Sequence, residues 1–295
     1  MKLSVTYYII LFVLKLKGIK KSFSQDPIDY KKIRKEDVHY PKGRFFKRIH
    51  TEQFNVSESV ITEVKYTENS DKLLIFIHGG AFVSGPTQHH WDVLKKIATH
   101  SSFVIWMVDY PKAPEKDIVE ISENIDLIYT TATKQFQSTN ISMIGDSVGG
   151  TLITSLIQRL IQKEFKLPKQ IILVTPVMDA SMTNSEIDKV EKIDPMLSKY
   201  GVLSAKKMCA GNTDLKATIM SPLYGNFEGF PRTILFLAHH DIMYPDAKLA
   251  EAKMRHANVN IEVIEGINMP HIWPFLPVMD EAKIALTQII NILNK

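Results

Sequence analysis

The stretch ISMIGDSVGG, residues 141–150, passes from an apolar run straight into Gly-Asp-Ser-Val-Gly-Gly. Its first five residues suit a strand buried on both faces, and the residues beyond Gly150, TLITSLIQRLIQ, return apolar side chains at helical spacing. A strand that turns at once into a helix leaves one residue at the apex, here Ser147. Backbone at such a turn is strained, and positions flanking the apex must lack a Cβ where neighbouring backbone passes close by, which suits Gly145 and Gly149. The new helix would point its positive end at the hydroxyl. In that setting G-x-S-x-G reads as an exposed nucleophile. The five-letter pattern alone is easily matched, and the plain alternative is a glycine-rich turn whose serine caps the helix.

Further runs of the same kind lie on both sides. LLIFIHG from Leu73, FVIWMVDY from Phe103, IILVTP from Ile171 and TILFLA from Thr233 are short and apolar almost throughout, and IEVIEG from Ile261 is a further candidate. Before residue 70, FKRIHTEQF and SVITEVKY alternate in polarity and suit antiparallel edge strands. Helical patterns separate the later runs: HHWDVLKKIATHS, EKDIVEISENIDLIYTTATKQF, VGGTLITSLIQRLIQKEF, DAKLAEAKMRHA and DEAKIALTQIINILNK. Strand and helix alternating this regularly predict an α/β fold with a mostly parallel, doubly wound sheet of about eight strands. Two regions stand outside the pattern, the leader up to about Tyr40 and a charged insert from Asp179 to about Met220. Together they could fold over the strand ends as a lid.

Composition narrows the classes. The chain has 295 residues, 45% of them hydrophobic, enough for a sizeable core. Its one cysteine, Cys209, rules out an internal disulfide framework and makes a reducing, cytoplasmic setting the default. Residues 1–48 carry thirteen Lys and Arg against four acids, a net +9, so the rest of a chain of net +4 carries −5. No basic-aromatic interleaving argues for nucleic acid. SVTYYIILFVL, Ser4–Leu14, is too short to span a bilayer. Val5, Tyr8, Ile9 and Phe12, with Leu16 one turn on, share one helical face, and a docked amphipathic helix presenting that face inward is the first expectation. A peripheral membrane contact is the second. A secretion signal is third, because Lys15, Lys17, Lys20 and Lys21 precede any small-residue cleavage site.

A serine nucleophile needs a base, and the base an orienting acid. In sheets of this sort the chain order is serine, acid, histidine. Of the histidines after the late strands, His256 lies in a charged helical pattern, whereas His271 lies in GINMPHIWPFLP, where Pro270 and Pro274 exclude a regular helix. His271 is the base. Asp241 follows the Thr233 strand and is the expected acid, while Asp246 suits the first turn of the next helix. HGGAF, His78–Phe82, leaves the Leu73 strand as a small-residue loop whose N–H groups, with that of Val148, can converge on an oxyanion. No phosphate-cradle motif is present, and neither His89-His90 nor His239-His240 has metal-ligand spacing, so neither metal nor cofactor is expected.

Taken together, HGGAF, DYPKAPE (109–115), GDSVGG, SPLYGNFEGFP (221–231), HDIMYPDA and MPHIWPFLP resemble the hormone-sensitive-lipase-like branch of the α/β-hydrolases, serine esterases and lipases. The resemblance covers about residues 72–295, with all its motifs in family order. It implies the α/β-hydrolase fold, an N-terminal cap segment at 1–45, and a catalytic domain at 46–295 with a cap insert at about 180–220 after the sixth strand. It implies Ser147, Asp241 and His271 as triad. It also implies an oxyanion hole built by Gly79, Gly80, Ala81 and Val148, in which Gly79 shapes the loop and the others donate. His78, Gly145 and Gly149 are its structural positions. The family's H-G-G-G has Ala81 in its last place here, tolerable if its φ is allowed. Its tyrosine-arginine-leucine after the aspartate appears as Tyr110-Pro111-Lys112, a structural segment.

The expected activity is hydrolysis of small to medium acyl esters through an acyl-enzyme. An amidase or deacetylase with the same triad, or an inactive small-molecule-binding protein on the same fold, are the alternatives. The expected partner is a small-molecule ester, with a peripheral membrane contact through the basic N-terminus as an option, in a monomer or homodimer.

Overall fold

The computed structural model describes residues 3–67, 70–276 and 278–295. Three helices come first, α1 (Val5–Leu16), α2 (Ile19–Ser22) and α3 (Tyr30–Ile33), followed by the strands β1 (His50–Val56), β2 (Ser59–Lys65) and β3 (Leu73–Ile77). Then α4 (Gln88–His100), β4 (Val104–Asp109), α5 (Ile118–Gln135), β5 (Ile141–Asp146), α6 (Val148–Gln162) and β6 (Gln170–Val174) alternate. The insert holds α7 (Ile187–Val190) and α8 (Lys199–Ala210), and β7 (Arg232–His240), α9 (Tyr244–His256), β8 (Ile261–Pro270) and α10 (Asp280–Leu293) close the chain.

The strands form one sheet in the order β1-β2-β4-β3-β5-β6-β7-β8. β2 is antiparallel to both β1 and β4, and every pairing from β4 to β8 is parallel. The polarity pattern has this cause. Central strands β3, β5 and β6 are covered on both faces and buried at every residue, so they are apolar but for Ser142, Asp146 and Gln170, whereas β1 at the edge is largely exposed and polar. Helix starts follow capping chemistry. α5 begins at Ile118 because the Asp117 carboxylate accepts from the Val119 and Glu120 amides while the Glu120 carboxylate accepts from the Asp117 N–H.

Two elements differ from expectation. β8 runs beyond IEVIEG to Pro270, where a loop was expected. Its pairing with β7 jumps from Ala238↔Gly266 to His240↔Pro270, so four residues of β8 answer two of β7, and the excess bulges outward at Asn268 (φ 63°). The bulge delivers His271 to the end of β7 rather than past it. The second difference is α1. It docks, but by the face opposite the expected one. Tyr7 and Leu14 are buried, Leu3, Ile10 and Leu11 pack beside them, and Val5, Tyr8, Ile9, Phe12 and Leu16 face outward. The helix is apolar all round, so periodicity could not choose the face. Polar contacts made it: Tyr7 donates to the Asn268 carbonyl at 2.9 Å, and the Ser4 amide and hydroxyl donate to Glu281 of α10 at 2.7 and 2.8 Å.

The leader and the insert are tied to each other. Lys20 Nζ donates to the carbonyls of Glu191 and Asp194 at 2.6 and 2.7 Å, and the Ile28 amide donates to Ser204 Oγ at 3.0 Å.

Candidate active site

Ser147 stands between β5 and α6 with φ 51° and ψ −122°, a conformation costing about 1–3 kcal/mol in a non-glycine residue. The neighbourhood holds it there. Its N–H donates to the Val174 carbonyl at 2.9 Å, and its own carbonyl accepts from Gly150 at 3.0 Å and Val177 at 3.2 Å. The side chain makes no cap bond to α6, so the helix-capping reading of this serine fails. A Cβ on Gly149 would lie 2.0 Å from the Ile77 carbonyl oxygen, and one on Gly145 would lie 2.7 Å from the Gly149 carbonyl carbon. The two glycines let the new helix start against the end of β3.

His271 follows β8 directly and is 4% exposed; Ser147 is 8% exposed. His271 Nδ1 is 2.7 Å from Asp241 Oδ2. The next residue donates its amide to Thr175 Oγ1 at 3.1 Å, and Thr175 adjoins Val174, the residue that holds the Ser147 N–H. Three strand ends are thereby laced together around the serine. Among the described residues no hydrogen bond within 3.5 Å joins Ser147 Oγ to His271 Nε2, a contact that tightens when substrate is in place. Burial pushes the His271 imidazole down, but the Asp241 carboxylate beside it, with Asp194 and Asp146 further off, outweighs burial and raises its pKa above the ordinary value. Asp246, the other acid considered, instead accepts from Asn184 at 2.8 Å, and His256 is exposed at the end of α9.

The loop after β3 is contorted in a useful way. Gly80, Ala81 and Phe82 have φ of 119°, 55° and 65°, and a Cβ on Gly80 would lie 2.1 Å from the Ser84 carbonyl oxygen. Ala81 lies in the left-handed region, which alanine enters at a cost of about 1 kcal/mol, so its φ is allowed. The amides of Gly80, Ala81 and Val148 have no acceptor among the described residues. Gly79 is different. Its N–H donates to Asp146 Oδ1 at 3.0 Å, so that proton is already engaged and Gly79 anchors the loop. His78, fully buried and held neutral by burial, stacks on Tyr110 at 4.4 Å, and the Tyr110 hydroxyl donates to the His78 carbonyl at 2.9 Å. This braces the loop from behind.

Two contributors were not read from the sequence. Asp146 accepts from the Gly79 N–H with Oδ1 and from His90 Nε2 with Oδ2 at 3.5 Å; burial opposes its charge, but His90 and the Gly79 N–H hold the carboxyl below its usual range. Asp194 of the insert accepts from Met196 and Leu197 with one oxygen and from Ile242, next to Asp241, with the other at 2.9 Å. Burial, then the Asp241 charge, pushes Asp194 up to about 7. Both contacts join residues far apart in the chain. The only local hints were Asp146 beside Ser147 and the Thr87 cap of α4, whose third residue is His90.

His89, His90 and Asp146 bring ligand atoms within 4.8 Å of one another, a grouping spacing alone had not suggested. It suits a cation poorly. His90 Nδ1 accepts the Thr87 N–H, so its proton sits on Nε2 and is spent on Asp146. A surface cleft of about 900 Å³ between α9 and the insert, walled by Val190, Tyr224 and Tyr244, includes neither Ser147 nor His271.

A family model for the alpha/beta hydrolase fold matches residues 74–275. The chain belongs to the α/β-hydrolase family. An Acinetobacter venetianus esterase is 28% identical over 201 residues, 68% of this chain and 66% of that protein. A Staphylococcus aureus crystal structure, whose esterase assignment is itself provisional, superposes with a TM-score of 0.83 at 26% identity over 90% of each chain. An esterase of the bacterial hormone-sensitive-lipase family shares the fold with a TM-score of 0.86, at 23% identity over 100% of this chain and 99% of its own. This α/β-hydrolase stands among the esterase- and lipase-type enzymes of the family. No helix among the described residues is long and apolar enough to cross a membrane.

Proposed function

We propose that this α/β-hydrolase is a serine carboxylic-ester hydrolase acting on small to medium acyl esters. The observation that carries the reading is Ser147: strained, uncapped, and tied through Val174 and Thr175 to the segment that holds a buried imidazole hydrogen-bonded to a carboxylate. Asp241 keeps the His271 proton on Nδ1, leaving Nε2 to take the proton from Ser147 as Oγ attacks the ester carbonyl. The amides of Gly80, Ala81 and Val148 receive the oxyanion, each worth on the order of 3–4 kcal/mol. Protonated His271 returns its proton to the departing alcohol, and water, activated by the same imidazole, releases the acid from Ser147. No metal or cofactor enters this scheme. The leader and the insert form the cap of this reading, tied by Lys20 to each other and by Asp194 to the acid loop. Cytoplasmic residence accompanies it, resting on a single, buried, unpaired cysteine.

Hydrolysis of p-nitrophenyl esters from acetate to palmitate, with Ser147→Ala in parallel, tests the proposal. Activity on the shorter chains that vanishes in the variant supports it. Equal rates for the two proteins, or turnover of anilides but no ester, would replace it.

A further inference from the structure

The outer face of α1 is the largest concentration of exposed apolar side chains on one described element. Val5, Phe12 and Leu16 are 76%, 62% and 70% exposed, and Tyr8, Ile9 and Val13 complete the stripe. At 3.6 residues per turn these six fall within about 140° of arc, opposite the docked side chains Tyr7 and Leu14. A surface helix that docks by one face ordinarily turns a polar face to water. Here the outward face is as apolar as the inward one. Lys15 and Lys17 border the stripe on its two sides, Lys21 follows one turn beyond, and none of the three has an ion-pair partner among the described residues. The inner face is fully engaged through Tyr7 and Ser4, so contact on the outer face requires no undocking.

We propose that this face of α1 is a docking surface for an anionic lipid membrane, with the helix lying in the interfacial plane. An apolar stripe rimmed by lysines is the complement of acyl chains beneath acidic headgroups, and Tyr8 and Phe12 suit the depth of that boundary. A second copy of the chain fits less well. A symmetric contact would set the lysine rims against each other, and a helix about 18 Å long presents less than the roughly 800 Å² per partner of a stable dimer. The inference concerns where the protein resides and stands apart from the esterase reading.

Sedimentation of the full chain with phosphatidylcholine vesicles, with and without about 30 mol % phosphatidylglycerol, tests it. The wild type is expected to pellet with the anionic vesicles at low salt, to release at about 0.5 M NaCl, and to bind pure phosphatidylcholine weakly. Phe12→Glu with Leu16→Glu should lower partition at least tenfold, and Lys15→Gln and Lys17→Gln about fivefold each, with melting temperature and turnover of a water-soluble ester unchanged. Absence of wild-type binding to anionic vesicles, or equal binding by the Phe12→Glu/Leu16→Glu protein, overturns the proposal. So does a wild-type dimer that this pair of substitutions dissolves in sedimentation velocity without any vesicle binding, which would give the face to a second copy.

Discussion

Around Ser147 every neighbour limits what can stand at each position, whereas along the outer face of α1 none does. At the turn, backbone oxygens lie where a Cβ on Gly149 or Gly80 would have to go, and each strand end is bonded to the next. The result is strain concentrated in a few residues and held by a well-packed surround. Helix α1 has ordinary helical geometry, and only its inner side chains meet protein. The difference teaches that apolar residues close to one another along a chain can answer to different partners: at the turn to the sheet itself, on α1 to the core on one side and to something outside the chain on the other.

That contrast can be broken by substitution. Asp241→Asn should cost the largest factor, on the order of 10³–10⁴ in kcat on a p-nitrophenyl ester, because His271 loses the carboxylate that sets its proton on Nδ1, while the melting temperature moves little. Gly149→Ala should lower stability by about 3 kcal/mol, since its methyl cannot coexist with the Ile77 carbonyl 2.0 Å away. Thermal unfolding would then fall by about 5–10 °C. On α1 the two faces should separate: Leu14→Ala costs about 2–3 kcal/mol in urea unfolding, and Phe12→Ala less than about 0.5. Equal losses would mean that the outer face is covered after all.

The smallest effect concerns pH. His271 must be neutral to act as base, so activity is lost as pH falls through its raised pKa. Asp194 contributes to that elevation. Asp194→Asn removes the charge, and the acid limb of kcat/KM should move toward lower pH. The asparagine keeps the bonds from Met196 and Leu197 but gives up the one from Ile242. A limb that stays in place would confine Asp194 to a structural part.

Much of the architecture was legible before any coordinates, for a physical reason. Strands β3 to β7 are buried on both faces and advertise it, and the glycines at 145 and 149 are required locally by the turn that exposes Ser147. The elements read less well are those decided by distant partners. The Asp146–His90 and Asp194–Ile242 contacts join residues 56 and 48 positions apart, which no local pattern marks. β8 was cut short at Gly266 because its bulge resembles a loop until β7 is beside it. Gly79 was expected to shape its loop, but the partner that fixes it, the Asp146 carboxylate, lies 67 positions further along the chain. On α1 the docked face was misread because composition offers two equivalent stripes, and the choice lay with Tyr7, Ser4 and their partners on β8 and α10.

The central claim is that Ser147 is an activated nucleophile. Treatment with a fluorophosphonate, followed by intact mass and peptide mapping, addresses it without any assumption about the natural ester. The account predicts a single adduct on Ser147 at neutral pH, formed far more slowly in the His271→Ala protein. An unmodified chain, or an adduct on another residue with Ser147 intact, would contradict it.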